Sequence, residues 1–303
     1  MRVRLSSVVA DPRQIVDALD RAFGTKSELH SHLDVDVYRC RPGRDGPDWV
    51  VRAVDDTVGH ASLTVVADIL DALSQTRFPA ERCAVAEPVL TIDTDSAPAH
   101  LLLTEFIDAR SAPSQGFVLA WCAGLLAKLA TKSGTTLPPG GGWHRLGLTP
   151  SAEIDAALQL TGQLGSAASE LADLLANADD GHGLPEAVIH PDLTPPNVVP
   201  QGADPPRVVD WIGTGRGPRI WPLAFLLFAA GPGRAHFALQ RYGRTISLTD
   251  EELQRLSSVM IARPVVLDIW AAAHERMTPR QAVERARKHR ARVRAVVAAL
   301  QSD

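Results

Sequence analysis

Cysteine is scarce in this sequence: three residues in 303, Cys40, Cys83 and Cys122, far apart and odd in number. They form neither a zinc-type CxxC pair nor a disulfide framework. They read as small buried hydrophobes of a reducing compartment. Long apolar runs are lacking as well. The best one, Trp221 to Ala230, contains Pro222 and reaches only about half of the ~20 residues that cross a bilayer. The opening Met1-Arg2-Val3-Arg4 is basic but leads into no long apolar stretch, so no secretory signal is expected. There is no internal repeat and no low-complexity segment. These absences predict a cytoplasmic chain with no membrane partner.

Charge is present in ordinary amount, 31 Lys+Arg against 35 Asp+Glu, but it is unevenly placed. From Trp211 onward there are 15 basic and 7 acidic residues, and before it 16 basic and 28 acidic. No aromatic residues are interleaved with the C-terminal basic groups, so no nucleic-acid partner is expected. In the last segment Val283, Ala286, Val293, Val297 and Leu300 recur at helical spacing, which makes its arginines a solvated helix face. Histidines at 30, 32 and 182 lack metal-site spacing and read as surface or loop residues.

Along the chain, Asp11 and Pro12 open a helix whose apolar stripe is Ile15, Val16, Leu19 and Phe23, and Gly24 ends it. Strands are expected at Val35–Cys40, Trp49–Val54, Val89–Thr91 and Leu101–Glu105, with a helix at Leu63–Leu73 between the second and third. From Phe117 the pattern turns helical, with helices over Phe117–Ala130, Ser151–Gln163 and Ala167–Leu175. Capping signals follow at Thr249/Glu252 and Thr278-Pro279/Gln281. The run Pro138-Pro139-Gly140-Gly141-Gly142-Trp143 has no preceding strand and no following GK[ST], so it reads as a linker rather than a phosphate loop. The fold class is α+β, a strand-rich part over residues 1–108 and a larger helical part over 109–303.

One stretch carries chemistry: Val188-Ile189-His190-Pro191-Asp192-Leu193-Thr194-Pro195-Pro196-Asn197-Val198-Val199, then Val208-Val209-Asp210-Trp211. Two short apolar strands, separated by a turn rich in Pro and Gly, each deliver oxygen-bearing side chains at an end. An Asn amide oxygen and an Asp carboxylate are hard ligands suited to Mg²⁺. Asp192, five residues before Asn197, can align a hydroxyl and accept its proton.

The pattern His190-x-Asp192-x4-Asn197, followed thirteen residues later by Asp210, resembles the catalytic and metal loops of the aminoglycoside phosphotransferase family. That family is similar in fold to choline kinases and, more distantly, to protein kinases. The resemblance implies a bilobal kinase-like fold with a small strand-rich N-lobe and a larger helical C-lobe. It also implies transfer of a phosphoryl group from ATP or GTP to a hydroxyl, with Mg²⁺. By the same resemblance Asp192 is the catalytic residue and His190 its support, and Asn197 and Asp210 are the metal ligands. Arg52, in Trp49–Val54, is the cation on the nucleotide phosphates, and Glu105, Phe106 and Ile107 hold the base through their main chain. Pro191 and Thr194 stand where protein kinases carry Arg and Lys. The interval from Asp210 to the helix near Trp221 is too short for an activation loop, so a regulated protein kinase is excluded.

The chain departs from the family pattern in three places. Residues 27–36 contain no glycine where a phosphate-covering loop would lie, the helix Leu63–Leu73 has no Glu for Arg52, and Pro222 stands where a structural Asp is expected. The leading expectation is a kinase of a small molecule, an antibiotic or a biosynthetic intermediate. The alternatives are a Ser/Thr kinase of a biosynthetic precursor peptide, with a possible partner protein, and a nucleotide- or partner-binding pseudokinase. The basic tail makes a polycationic aminoglycoside the less favoured acceptor.

Overall fold

The computed structural model describes residues 9–94, 97–110, 114–132, 134–202 and 204–302; the Met1–Arg4 start lies outside them. The chain divides into two compact units, one made of residues 1–111 with 199–209, the other of 112–198 with 210–303.

The first unit is built on an antiparallel sheet of order β1-β2-β3-β5-β4. Its strands are β1 (Ser27–Asp34), β2 (Val37–Pro42), β3 (Trp49–Asp55), β4 (Val89–Ile92) and β5 (Ala99–Glu105). Two helices pack on it, α1 (Pro12–Phe23) and α2 (Gly59–Ser74). α1 begins with a capping box between Asp11 and Gln14 and stops at Gly24, whose φ of 63° is the left-handed cap only glycine adopts without cost. β3 is the central strand, and its residues from Trp49 to Val54 are all buried, Arg52 included. Trp49, Val51 and Ala53 join Ile15, Leu19, Leu101 and Leu103 in one core. Alternation sends Val50, Arg52 and Val54 to the opposite face.

The strand expected from Val35 starts two residues later, because Val35 and Asp36 form a tight turn after β1. Asp36 sits there at φ 59°, and its carboxylate accepts the Val9 N–H. β1 itself escaped the sequence reading: it is an exposed edge strand with almost no apolar alternation, held by pairing to β2. The first unit also takes in most of a hairpin from the later chain, β7 (Val198–Gln201) and β8 (Asp204–Val208).

The second unit contains α3 (Gln115–Ala130), α4 (Pro150–Thr161), α5 (Ala168–Leu175), α6 (Ile220–Ala230), α7 (Pro232–Gly243), α8 (Asp250–Ala273) and α9 (Pro279–Gln301). A two-stranded sheet of β6 (Glu186–Ile189) and β9 (Gly215–Pro218) completes it. α6 is apolar all round and buried, with Trp221, Leu223, Ala224, Leu226 and Leu227 at the centre of the unit. α8 is the one described helix long and apolar enough to cross a membrane, at a mean hydropathy of 1.5 over its best window. That window is 72% buried, which is the signature of a core helix. Both capping boxes read from the sequence, Thr249/Glu252 on α8 and Thr278/Gln281 on α9, are formed. Burial pushes the thiols of Cys40 and Cys122 up to about 12 and that of the half-buried Cys83 to about 11.

Candidate active site

In the second unit, β6 ends at Ile189 and hands the chain to His190-Pro191-Asp192. The His190 ring is fully buried, and its Nδ1 accepts the Asp192 backbone N–H at 3.1 Å. Thr194 Oγ1 donates to Asp192 Oδ1 at 2.7 Å, and Asn197 Nδ2 donates to the Asp192 carbonyl at 2.8 Å. His190, Asp192 and Asn197, three of the four residues named from the spacing motif, are therefore joined by direct bonds. Thr194, which the sequence reading left without a role, orients the carboxylate. Asp192 and Asn197 stay half-buried, open enough to meet a ligand.

Asp210 follows β8 and stands at φ 67°, a left-handed conformation that an L-residue with a side chain takes at some cost. It caps no helix: α6 starts only at Ile220. Trp211, next in sequence, lies edge-on to the His190 ring at 4.7 Å between centroids. Thr214 Oγ1 donates to the Ile189 carbonyl at 2.6 Å, and Ile189 pairs with Gly215 between β6 and β9. These three links hold the stems of the two loops side by side. Asn197, whose amide nitrogen is committed to the Asp192 carbonyl, keeps its oxygen as the donor it can offer. That oxygen and the Asp210 carboxylate are each hard donors of the kind Mg²⁺ takes.

The glycine run is more than a linker. Gly140 N–H donates to the Arg216 carbonyl, Arg216 N–H to the Pro138 carbonyl, and Gly141 N–H to the Gly213 carbonyl. The run thus lies as a strap along β9 and the metal loop. A Cβ on Gly140 would stand 2.5 Å from the Gly215 Cα, and one on Gly213 2.4 Å from the Gly142 carbonyl oxygen. Contact this close needs glycine on both sides.

Below the catalytic loop sits a buried pair that the sequence reading missed. Arg263 of α8 donates to the Pro191 carbonyl at 2.8 Å and faces Glu153 of α4 at 3.7 Å; both residues are buried. Glu153 also accepts the Trp143 N–H at 2.6 Å. Burial raises the Glu153 carboxyl above its usual range, against the pull of Arg263 and the Trp143 bond.

In the first unit, Arg52 is buried on the central strand and not on an edge. It meets Glu81 at 3.1 Å and donates to Thr104 Oγ1 at 2.8 Å. α2 indeed offers no Glu, and the carboxylate comes from the segment after it. That segment is fixed by backbone bonds from Glu81 N–H to the Val208 carbonyl and from Val208 N–H to the Pro79 carbonyl, within the same unit. Of the three expected base-binding residues, Phe106 gives its N–H to the Asp48 carbonyl and its ring to the Arg39 guanidinium, 3.9 Å from the centroid. The Glu105 N–H is given to the Arg82 carbonyl, within the same unit.

A model of the phosphotransferase enzyme family matches residues 27–256. The chain belongs to that family. That family is one of phosphotransferase enzymes. No curated protein matches the sequence significantly. Among solved structures, a microcompartment-associated aminopropanol kinase is similar, at 16% identity and TM-score 0.64 over 95% of this chain and 98% of its own. An aminoglycoside-3'-phosphotransferase of type VIII shares 20% identity at TM-score 0.58, covering 86% and 100% of the two chains. A choline kinase from Streptococcus pneumoniae shares 15% at TM-score 0.59, covering 92% and 98%. These likenesses establish the bilobal kinase-like fold.

The charge split of this phosphotransferase has an internal cause. Arg216 pairs with Glu186, Arg255 with Asp179, Arg263 with Glu153 and Arg287 with Glu170, each joining the basic tail to an acid from before Trp211. Arg285 and His289 share Asp268, and Arg292 donates to the Phe228 and Ala229 carbonyls. The face of α9 is thus partly a set of ties to its neighbours rather than solvated charge throughout. Separately, a groove of about 690 Å³ runs along α2 in the first unit, past Asp68, Asp71, Cys83 and Glu87. It contains none of the residues assigned to catalysis.

Proposed function

We propose that this phosphotransferase moves the γ-phosphoryl group of ATP or GTP to a hydroxyl of a small molecule, with Asp192 as the group that aligns and deprotonates the acceptor. The acceptor O–H gives its proton to Asp192 while the new O–P bond forms and the bond to the leaving nucleoside diphosphate breaks. Thr194 and the loop backbone keep the Asp192 carboxylate in place, and His190 supports that backbone rather than moving protons. Asn197 and Asp210 would hold Mg²⁺, which when bound supplies positive charge to the phosphate oxygens. Arg52, oriented by Glu81 and Thr104, adds a second, fixed cation, and Arg suits phosphate in two-point contact. The Glu105 carbonyl and Ile107 N–H would meet the base. Such a reaction needs neither a nucleic acid nor a membrane, and it would run in the cytoplasm, where the nucleotide is.

The observation that carries this reading is the Asp192 carboxylate, held by Thr194 in a half-buried loop whose neighbour, Asp210, sits in a strained left-handed conformation. Arg216, Arg255, Arg263 and Arg287 of the basic tail are paired with acids from before Trp211, which weakens the case for a precursor peptide over a small molecule. Candidate acceptors include both antibiotics and biosynthetic intermediates, amines among them. The test is transfer of labelled phosphate from ATP to a panel of hydroxyl compounds and peptides. Asp192→Ala should lower transfer by roughly 10²–10⁴-fold. Turnover unchanged in that variant would remove Asp192 from the mechanism.

A further inference from the structure

Three polar backbone atoms beside Asp192 have defined partners: its own N–H, its own carbonyl and the Pro191 carbonyl. The peptide unit between Pro191 and Asp192 is gripped at both ends: its N–H by His190 Nδ1 at 3.1 Å and its carbonyl by Arg263 at 2.8 Å. Asn197 takes the next carbonyl, that of Asp192 itself. His190 and Asn197 are local in sequence, whereas Arg263 lies 72 residues away on α8. Pro191 has no N–H, so its carbonyl is the only backbone hydrogen-bonding group it can offer a neighbouring element.

A buried Arg–Glu pair is a poor device for stability. Both charges lose their water, and well-packed apolar residues in their place are often as stable or more so. Here the cost is visible, because Glu153 Oε1 and Arg263 Nε are both buried without a hydrogen-bond partner. The pair touches the site at two points. Arg263 holds the catalytic loop, and Glu153 holds the Trp143 N–H, next to the glycine strap whose Gly141 N–H holds the Gly213 carbonyl of the metal loop.

We propose that Arg263, held by Glu153, is a positioning residue: its guanidinium fixes the Pro191 carbonyl and so the backbone from which Asp192 projects. The proposal rests on the phosphotransferase reading for its kinetic consequence, but not for its structural one. Arg263→Met alone leaves Glu153 buried and uncompensated, so it lowers Tm whatever the role of Arg263. The double variant Glu153→Gln/Arg263→Met removes both charges, keeps an acceptor for the Trp143 N–H, and deletes the grip on Pro191.

The experiment compares wild type and double variant by thermal unfolding, by MgATP hydrolysis with water as acceptor, and by amide hydrogen exchange in residues 188–198. The expected result is a Tm back near that of wild type, turnover still down by roughly 10–100-fold, an unchanged KM for ATP, and faster exchange in 188–198. A double variant that regains stability together with wild-type turnover and exchange would overturn the proposal, leaving the pair a packing feature. A wild-type protein that neither binds nor hydrolyses MgATP would overturn the phosphotransferase reading instead, and exchange in 188–198 would still decide for or against the grip.

Discussion

Asp192 is held by a hydroxyl, an imidazole, an amide and a guanidinium, and removing each should give a different loss. Thr194→Val deletes the hydroxyl on Asp192 Oδ1 while keeping shape, so transfer should fall by less than it does on removing the carboxylate, with nucleotide affinity unchanged. A steady-state comparison of kcat and KM for ATP checks this. The Arg219–Glu252 pair tests stability rather than chemistry. Burial works to raise the Glu252 carboxyl, but the paired bonds from Arg219 at 2.7 and 2.8 Å and the bonds with Thr249 outweigh it and leave it below the usual range. A lowered carboxylate contributes stability above its unfolded value of about 4.3 and loses it as pH falls through the folded value. Arg219→Ala should therefore cost about 3–5 kcal/mol at neutral pH. The gap to wild type should close below about pH 4, as chemical denaturation at several pH values would show. The spacing of His190, Asp192, Asn197 and Asp210 was legible because loop geometry fixes it locally. Glu81 and Arg263 were not, because their partners are remote in sequence and a lone Glu or Arg carries no pattern.

At the scale of elements, the capped helices were read nearly to the residue, since Asp11, Thr249 and Thr278 each satisfy the N–H groups of a first turn. β1 was missed because an exposed edge strand has no buried face to impress on its sequence. The strap over residues 138–142 was missed for the opposite reason: its partner is another glycine segment, and backbone-on-backbone contact leaves no side-chain signal. Gly213 should be the most sensitive position there, with φ 86° and no room for a Cβ. Gly213→Ala should destabilise by about 1–3 kcal/mol and lower transfer more than that loss of folded protein explains, because the metal loop must move. Gly233 has nothing within 4 Å of a Cβ and serves as the control: Gly233→Ala should leave turnover unchanged. Urea unfolding and turnover measured on the same samples separate the two effects.

For the whole molecule, composition alone pointed to an acidic body and a basic tail, which suggested something about the acceptor. Four ion pairs return cations of the tail to acids of the earlier chain within the helical unit, so net charge alone is a poor guide to the acceptor here. The fold class followed from the order of elements, strands first and helices after. The return of residues 199–209 to the strand-rich unit did not, since a short hairpin looks the same whichever body it joins. The proposed activity rests on one carboxylate. The most direct measurement is transfer of labelled γ-phosphate from MgATP to a hydroxyl panel, run in parallel with wild type and Asp192→Asn at equal nucleotide occupancy. The account predicts a labelled acceptor with wild type and a loss of roughly 10²–10⁴-fold in the variant with ATP affinity retained. Equal labelling by both proteins, or no labelled acceptor and no ATP binding by wild type, would contradict it.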